Sequence, residues 1–289
     1  MTLVIFVLII IFFGFNTYNE TVIDTLAEST TLSAGELSIG QVPGVDTEEP
    51  TEEPTEEDGF PFFYIPAPPM PDPPTPDPPT PPPRYKIAIT FDDGPSRYTS
   101  YILDTLEKYN ARATFFVLGN RVHSRADIVR RAAELGNEIA GHSWNHRDFS
   151  RLVADAIRQQ ITDTNAAIEY VLGEPPPPFF RPPYGVVTSR VRRVAEEFDY
   201  AIVNWSIDPR DWQNRDPDLI YYLVMSRAVD GAIVLLHDIR PYTKEAIERI
   251  VPSLINRGFE LVTVSELLDY FFDEIIPGEV YNGFVRPRE

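Results

Sequence analysis

Two adjacent aspartates and a pair of histidines have the residue types and the spacing of a metal-dependent hydrolytic site. Asp92 and Asp93 are consecutive in the segment TFDDGP, residues 90–95. Consecutive side chains leave a strand on opposite sides, so one carboxylate can bind a metal ion while the other acts as a base. His142 and His146 lie four residues apart in HSWNH, and they share one face if this turn is helical. One aspartate and two histidines leave coordination positions open, as catalytic metal sites require.

Three further motifs carry groups that suit acid–base chemistry. Arg181 opens RPPYG, where it could hold a carboxylate through two hydrogen bonds. Asp211 lies in DPRDW and could pair with a histidine and raise its pKa, which suits a general acid. His237 ends the apolar part of LLHD. Each motif alone also fits a turn, a solvated loop or a core residue. Three of the chain's four histidines nevertheless fall in HSWNH and LLHD, and His123, in a predicted helix, is expected to be structural.

These polar residues follow short apolar runs that are predicted to be strands. The runs are residues 86–91, 113–118, 138–142, 179–181, 201–206, 232–237 and 260–264. Amphipathic stretches with a 3.6-residue period predict helices at 101–109, 126–135, 152–172, 191–198, 219–229 and 244–255. Alternating strands and helices imply a parallel sheet, and seven strands suit closure into a barrel. In such folds the strand ends bring the reactive residues to one rim.

The charge of the chain is distributed unevenly. The chain has 289 residues and a formal net charge of −19. Residues 1–83 contain 14 acidic residues and no Lys or Arg, whereas residues 85–289 contain 30 acidic and 24 basic residues. The net charge argues against a nucleic-acid binder, because nothing offsets phosphate repulsion. The absence of cysteine excludes disulfide bonds, thiolate metal ligands and a thiol nucleophile.

The first 83 residues are expected to precede the folded domain. An apolar run from Leu3 to Phe15 is shorter than the ~20 residues of a membrane span, and no basic residue precedes it. We expect residues 1–18 to be a signal peptide or a membrane anchor, and the protein to be extracellular, wall-associated or membrane-anchored. Residues 19–83 are rich in Pro, Glu and Thr and are expected to be a disordered spacer. A proline-rich ligand for a partner is the alternative that this composition leaves open.

In this order, TFDDGP, HSWNH, RPPYG, DPRDW and LLHD resemble the five motifs of the polysaccharide deacetylase family, the NodB-homology domain of carbohydrate esterase family 4. The resemblance covers about residues 85–270. It implies an α/β fold, a deformed (β/α)7-type barrel, with a catalytic domain at 84–275 and a C-terminal tail at 276–289. It also implies one divalent metal ion, zinc with cobalt as an alternative, and hydrolytic deacetylation of a glycan.

The resemblance gives roles to the residues at the centre of the predicted site. Asp93, His142 and His146 match the metal ligands of the family. Asp92 matches the general base, and His237 matches the general acid.

Five further residues match supporting positions. Asp211 matches the residue that adjusts the pKa of the acid, and Arg181 matches the residue that orients the base. The backbone N–H of Tyr184 matches the oxyanion donor. Trp212 and Leu235 match the walls of the pocket for the acetyl methyl group. Because no motif residue is missing, a non-catalytic glycan-binding relative is the weaker interpretation.

The favoured function is metal-dependent N-deacetylation of N-acetylglucosamine in a cell-wall glycan. The export segment and the spacer favour peptidoglycan, and TFDDGP and RPPYG resemble the motifs of N-acetylglucosamine deacetylases more than those of the N-acetylmuramic acid group. An O-acetyl esterase acting on xylan and a chito-oligosaccharide deacetylase are the alternatives. The expected partners are the glycan and, through the N-terminal segment, a membrane. No nucleic acid or protein partner is expected.

Overall fold

A computed structural model describes residues 85–283 of the chain. The strands are β1 (Tyr85–Asp92), β2 (Thr114–Leu118), β3 (Glu138–Ser143), β4 (Phe179–Phe180), β5 (Ala201–Val203), β6 (Ala232–His237), β7 (Phe259–Leu261) and β8 (Val280–Tyr281). The α-helices are α1 (Arg97–Lys108), α2 (Gly119–Val122), α3 (Ala126–Glu134), α4 (Ala154–Leu172), α5 (Ser189–Glu197), α6 (Pro217–Arg227), α7 (Pro241–Asn256) and α8 (Val264–Phe271). Strands and helices largely alternate, as the sequence pattern predicts.

The strands form one parallel sheet. Their order is β6–β1–β2–β3–β4–β5–β8, and β7 pairs with β1 as well. β1 carries β7 near its beginning, where Tyr85 pairs with Phe259, and β2 near its end, where Thr90 pairs with Thr114. This curled sheet with flanking helices confirms the prediction of an α/β fold of the deformed (β/α)7-barrel type.

Two short contacts join β5 to β6 and so bring the ends of the sheet together. Ile207, which follows β5, forms a parallel bridge with Val234, and its carbonyl accepts a hydrogen bond from Leu235 N–H at 2.9 Å. The second contact runs through β8, which pairs with β5. Gly283, two residues after β8, forms an antiparallel bridge with Ala232 at the start of β6. The segment that the sequence assigns to a C-terminal tail therefore supplies part of the sheet. Its strand is only two residues long and was not among the strands predicted from the sequence.

The side chains of β1 alternate between two hydrophobic clusters, and this alternation sets the direction of Asp92. Ile89 and Phe91 belong to a cluster that includes buried side chains of α1 and α7. Ala88 belongs to a second cluster, built from side chains of β2 to β6. Because strand side chains alternate with a period of two, Asp92 faces the side of the second cluster. It is buried there at the end of the strand.

The last helix was not predicted from the sequence. The strand expected over 260–264 ends at Leu261, and α8 begins at Val264. Thr263 and Glu266 form a capping box, in which Thr263 N–H donates to Glu266 Oε2 at 2.9 Å and Glu266 N–H donates to Thr263 Oγ1 at 3.3 Å. This Thr-x-x-Glu pattern is a helix-start signal, and it outweighs the β-branched residues that favoured a longer strand.

Within residues 85–283, no helix is long and apolar enough to cross a membrane. The predicted signal or anchor segment at 1–18 and the predicted spacer at 19–83 lie outside the described residues, as do residue 84 and residues 284–289.

Replacing Thr263 with Ala should lower the free energy of unfolding by about 1 kcal/mol, because the first turn of α8 loses its capping hydroxyl. Chemical denaturation of the two proteins side by side measures the difference. Thr162→Ala is the matched control, since Thr162 is exposed within α4, and it should change stability by less than about 0.5 kcal/mol. Equal stability of the two variants would contradict the role given to the capping box.

Candidate functional site

Three side chains from two strand ends converge with the spacing that a metal ion requires. Asp93 directly follows β1, His142 lies in β3, and His146 lies just beyond β3. One ligand atom of each lies within 4.8 Å of the others. Asp93 Oδ1 is 3.7 Å from His142 Nε2 and 3.3 Å from His146 Nε2. The structure thus brings together the three residues that the sequence assigns to the metal.

The two histidines meet without a helix. His146 has a φ of 60°, in the left-handed region, and the centroids of the two rings are 5.1 Å apart. Ser143 Oγ accepts a hydrogen bond from His146 N–H at 2.9 Å, and Gln160 Oε1 accepts one from Trp144 N–H at 3.0 Å. The helical turn that the sequence analysis took as its condition is therefore absent. Side-chain acceptors hold a tight turn in its place.

The two adjacent aspartates approach the same histidine. Asp92 Oδ2 and Asp93 Oδ1 each lie 3.7 Å from His142 Nε2. The expectation that they leave the strand on opposite sides is wrong, because β1 ends at Asp92 and Asp93 has a φ of 73°. The left-handed backbone turns the second carboxylate back toward the first.

The chemistry of these donors fits a divalent metal ion. Asp93 Oδ1 is buried and has no hydrogen-bond partner among residues 85–283. His142 Nδ1 lies 2.7 Å from the carbonyl oxygen of Arg181, and since a carbonyl only accepts, Nδ1 carries the proton and Nε2 presents its lone pair. Burial, followed by the neighbouring His142, lowers the pKa of His146, although Asp93 acts in the opposite direction. The neutral imidazole that results is the form that binds metals.

A fully buried arginine fixes the position of Asp92. Arg181 follows β4, and its Nη1 donates to Asp92 Oδ1 at 2.7 Å. Nε donates to the Val203 carbonyl at 3.0 Å, and Nη2 donates to the Asn204 carbonyl at 2.9 Å. The carboxylate is therefore held by one guanidinium nitrogen, and the prediction of two hydrogen bonds to it is wrong. The other two nitrogens bind the backbone at the end of β5.

Aromatic rings complete the surroundings of this guanidinium. Its central carbon lies 4.0 Å from the ring centroid of Phe116 and 5.6 Å from that of Trp205. Burial lowers the pKa of Arg181, whereas the charge and the hydrogen bond of Asp92 raise it. Aromatic faces, carbonyl oxygens and Asp92 replace the water that the guanidinium loses.

A strongly basic histidine lies across from Asp92 on the adjoining strand. In the register of β1 and β6, Asp92 pairs with His237. His237 Nδ1 lies 2.7 Å from Asp211 Oδ1, and Asp211 Oδ2 accepts hydrogen bonds from His237 N–H and Thr243 Oγ1. Burial by itself would lower the pKa of His237, but the hydrogen bond and the charge of Asp211, followed by Asp92 and Asp93, raise it to about 9. His237 is therefore protonated at neutral pH, as a general acid must be.

The RPPYG loop reaches the histidine cluster. Tyr184 has a φ of 60°, and its ring meets that of His146 with the centroids 4.6 Å apart. The next residue must be glycine, because Gly185 has a φ of 64° and a Cβ there would lie 2.8 Å from the Trp205 ring. Asn204 Nδ2 donates to the Gly185 carbonyl at 3.1 Å. These contacts hold the backbone of Tyr184 beside the cluster.

The two predicted pocket residues come from the strand of the acid and from the loop of its partner Asp211. Leu235 is buried in β6 and shares the side of His237, two residues further along. Trp212 follows Asp211 and is half exposed.

Sequence reasoning missed several side chains that hold the functional loops. Arg121 Nη1 donates to the Asp93 carbonyl at 2.8 Å, and Thr243 binds Asp211 as described above. Both come from helical segments, where no sequence pattern marks them. Asp238 is the last residue of the LLHD motif, so the motif itself could have identified it. Burial raises the pKa of Asp238 to about 7, although the hydrogen bond from Thr99 acts in the opposite direction.

The chain is similar to proteins with known activities. The family model described as polysaccharide deacetylase matches residues 80–203. The peptidoglycan-N-acetylglucosamine deacetylase PgdA of Listeria monocytogenes is 40% identical over 183 residues, which are 63% of this chain and 38% of that protein. The peptidoglycan-N-acetylmuramic acid deacetylase PdaC of Bacillus subtilis is 41% identical over 182 residues, again 63% of this chain and 38% of that protein. The chain thus spans well under half the length of these two curated relatives.

A solved structure is similar over nearly its full length. It is a family 4 acetyl xylan esterase from Clostridium thermocellum in complex with a cobalt ion, with 38% identity and a TM-score of 0.64. The alignment covers 68% of this chain and 98% of that chain. Comparable identity therefore links this chain to proteins named for three different substrates.

Replacing Asp211 with Asn should lower the pKa of His237 from about 9, because the hydrogen bond and the charge of Asp211 are the two largest effects that oppose burial. NMR titration of the His237 imidazole in the metal-free protein measures the change. Asp208→Asn is the matched control in the same loop, since the Asp208 carboxylate accepts from Arg210 N–H, and it should leave the pKa of His237 unchanged. An equal response to both substitutions would refute the assignment of Asp211 as the partner.

Proposed function

Because this chain belongs to the polysaccharide deacetylase family, we propose that it hydrolyses N-acetyl groups from N-acetylglucosamine residues of a cell-wall glycan, with peptidoglycan as the favoured substrate. The observation that carries this proposal is the pairing of Asp92 with His237 beside the cluster of Asp93, His142 and His146. A carboxylate base, a protonated acid and a metal-binding cluster are the groups that hydrolysis of an unreactive amide requires.

Asp93, His142 and His146 are the residues that would hold one divalent metal ion, proposed to be zinc with cobalt as the alternative. Such an ion supplies a Lewis acid that polarises the acetyl carbonyl and lowers the pKa of water. Two imidazoles and a carboxylate suit zinc, and three protein ligands leave a position for water or substrate.

Asp92 is proposed to accept a proton from the water that attacks the acetyl carbon. Arg181 holds its Oδ1 at 2.7 Å, which leaves Oδ2 as the oxygen that takes the proton. Since Arg181 is bound to two backbone carbonyls as well, the carboxylate is fixed before the substrate arrives. The backbone N–H of Tyr184 is proposed to stabilise the negative charge that develops on the acetyl oxygen.

His237 is proposed to donate its proton to the nitrogen as the carbon–nitrogen bond breaks. The bond between Nδ1 and Asp211 directs the second ring nitrogen, Nε2, toward this task. The products are acetate and a free amino sugar, with the water oxygen retained on the acetate. Trp212 and Leu235 are proposed to line the pocket for the acetyl methyl group.

Acetate release from a panel of glycans tests the substrate. We expect release from peptidoglycan and from N-acetylated chito-oligomers, its loss with a chelator, and its return when zinc is added. The similarity to an acetyl xylan esterase motivates acetylated xylan as a third member of the panel. Release from xylan alone would assign the O-acetyl esterase activity. Release from none of the three would favour a non-catalytic glycan-binding protein.

Export is a part of the same proposal. The apolar run from Leu3 to Phe15 and the proline-rich residues 19–83 support a domain held outside the cell by a spacer. Fractionation of cells that express the full chain tests it, and recovery of all the protein in the cytoplasm would refute it.

Replacing Asp92 with Asn should lower kcat by about 10²- to 10⁴-fold, because the amide cannot accept the proton of the water. Acetate release measures the rate, and metal analysis should give an unchanged stoichiometry. Asp104→Asn, which alters an exposed carboxylate on α1, is the control and should keep full activity. Robust turnover by Asp92→Asn would overturn the assignment of the base.

Replacing His142 with Ala should reduce the bound metal to below one ion per chain, because one of three ligands is lost. Elemental analysis after dialysis measures the stoichiometry. His146→Ala, at a less buried position, gives an independent second test of the same cluster. His123→Ala should keep the full complement, since His123 lies outside the cluster, where its ring packs against Tyr170. Full metal in both ligand variants would disprove the proposed site.

A further inference from the structure

We propose that Asp238 is a positioning residue that holds the loop directly after the base, which carries the metal ligand Asp93, against the strand carrying the acid. The loop consists of residues 93–96, between β1 and α1, and Asp238 directly follows His237 at the end of β6. The inference rests on the hydrolytic function proposed above. It gives a role to a buried carboxylate that the proposed mechanism does not use.

Asp238 binds both hydroxyls of the helix cap that ends this loop. Its backbone carbonyl accepts a hydrogen bond from Ser96 Oγ, and its Oδ2 accepts one from Thr99 Oγ1, each at 2.5 Å. The same two hydroxyls cap α1, because Ser96 Oγ accepts from Tyr98 N–H and Thr99 Oγ1 accepts from Ser96 N–H. A single residue after β6 is therefore bonded to the start of α1 twice.

The Asp238 carboxylate also packs directly on Gly94. A Cβ on Gly94 would lie 2.6 Å from Asp238 Cγ, far inside any real contact, and the carboxylate oxygens would be closer still. Gly94 is not among the residues with a positive φ, so its backbone conformation does not require glycine. The requirement comes from the close approach of Asp238.

Other contacts hold the loop from the opposite direction. Leu118 N–H, at the end of β2, donates to the Gly94 carbonyl at 2.9 Å. Arg121 Nη1 donates to the Asp93 carbonyl at 2.8 Å. The pairing between β1 and β6 ends at Asp92 and His237. One residue further along the chain, Asp238 continues the contact between the end of β6 and the loop after β1. Its contacts thus fix the loop relative to His237.

The buried carboxylate of Asp238 destabilises the folded state. Asp238 is buried, and its Oδ1 has no hydrogen-bond partner among residues 85–283. A buried polar atom without a partner destabilises the folded state, so stability does not explain why an aspartate occupies this position. A positioning role explains it, because a displacement of about 1 Å at reacting groups can lower a rate by about 10²-fold.

A double-mutant cycle on Gly94 and Asp238 tests the proposal. Gly94→Ala should lower kcat by about 10²-fold, because the new methyl group pushes the loop away from Asp238. Asp238→Ala should lower kcat by at least about tenfold with little change in KM, because the loop loses its hold. The double variant should match Asp238→Ala, since the methyl group then fills vacated space. Losses that simply multiply would overturn the proposal.

A conservative variant separates positioning from a general loss of structure. Asp238→Asn keeps the volume and the acceptor for Thr99 Oγ1, so its kcat should stay within about threefold of the original enzyme. If Gly94→Ala does not fold, the comparison of Asp238→Asn with Asp238→Ala still tests the positioning role of Asp238. Equal kcat values for these two variants would refute the positioning role. Thermal melting of each metal-free variant serves as the readout that is independent of activity.

Asp230→Ala is the matched control on the same two strands. Asp230 lies before β6 at the far end, where its Oδ1 accepts a hydrogen bond from Lys86 N–H at 2.7 Å. Its loss should lower the melting temperature and leave kcat unchanged. If the original chain releases no acetate from any substrate, the proposed function fails. If it is active and Asp230→Ala loses as much kcat as Asp238→Ala, only the positioning proposal fails.

Discussion

The buried ion pair between Arg181 and Asp92 is the interaction on which the rest of the site depends. Arg181 follows β4, Asp92 ends β1, and these strands are not neighbours in the sheet. The guanidinium reaches Asp92 while binding two carbonyls at the end of β5, so it links three strand ends through one side chain. Removing one partner of such a buried pair typically costs about 3–5 kcal/mol, because the other charge remains without water. The position of the base is thereby tied to the stability of the barrel.

The register of β1 and β6 fixes the position of the acid His237 relative to the base Asp92. Pairing of Asp92 with His237 places base and acid side by side on one face of the sheet, and a slip of one residue in either strand would send that strand's side chain to the other face. After Asp92 and His237 the strand pairing of β1 and β6 ends, and the backbone that follows is irregular. Asp93, His146 and Tyr184 all have positive φ values, and all three meet at the metal-binding cluster. The regular sheet positions the acid and the base, and the strained turns position the ligands.

Much of this arrangement is predictable from the sequence, and the failures have specific physical causes. Short apolar runs locate most of the strands, and the motif residues do gather at their ends. The sequence analysis did not predict β8, which pairs with β5 and is followed by Gly283, the residue that bridges β6. A helical turn after His142 was the condition for the two histidines to share a face, but they meet through a left-handed turn, which spacing alone does not distinguish from a helix. Arg121 and Thr243 act over long sequence separations that no local pattern records.

The balance of charge in the site explains why its parts depend on one another. Asp92, Asp93 and Asp211 bring three formal negative charges, and Arg181 and protonated His237 bring two positive ones. The cluster with Asp93 lacks a positively charged partner among residues 85–283, and Asp93 Oδ1 is buried there without a hydrogen bond. Asp92 and Asp93 both raise the pKa of His237, so a cation held by Asp93 would oppose that effect and make His237 a stronger acid. Loading the cluster and activating the acid are therefore coupled through the same two carboxylates.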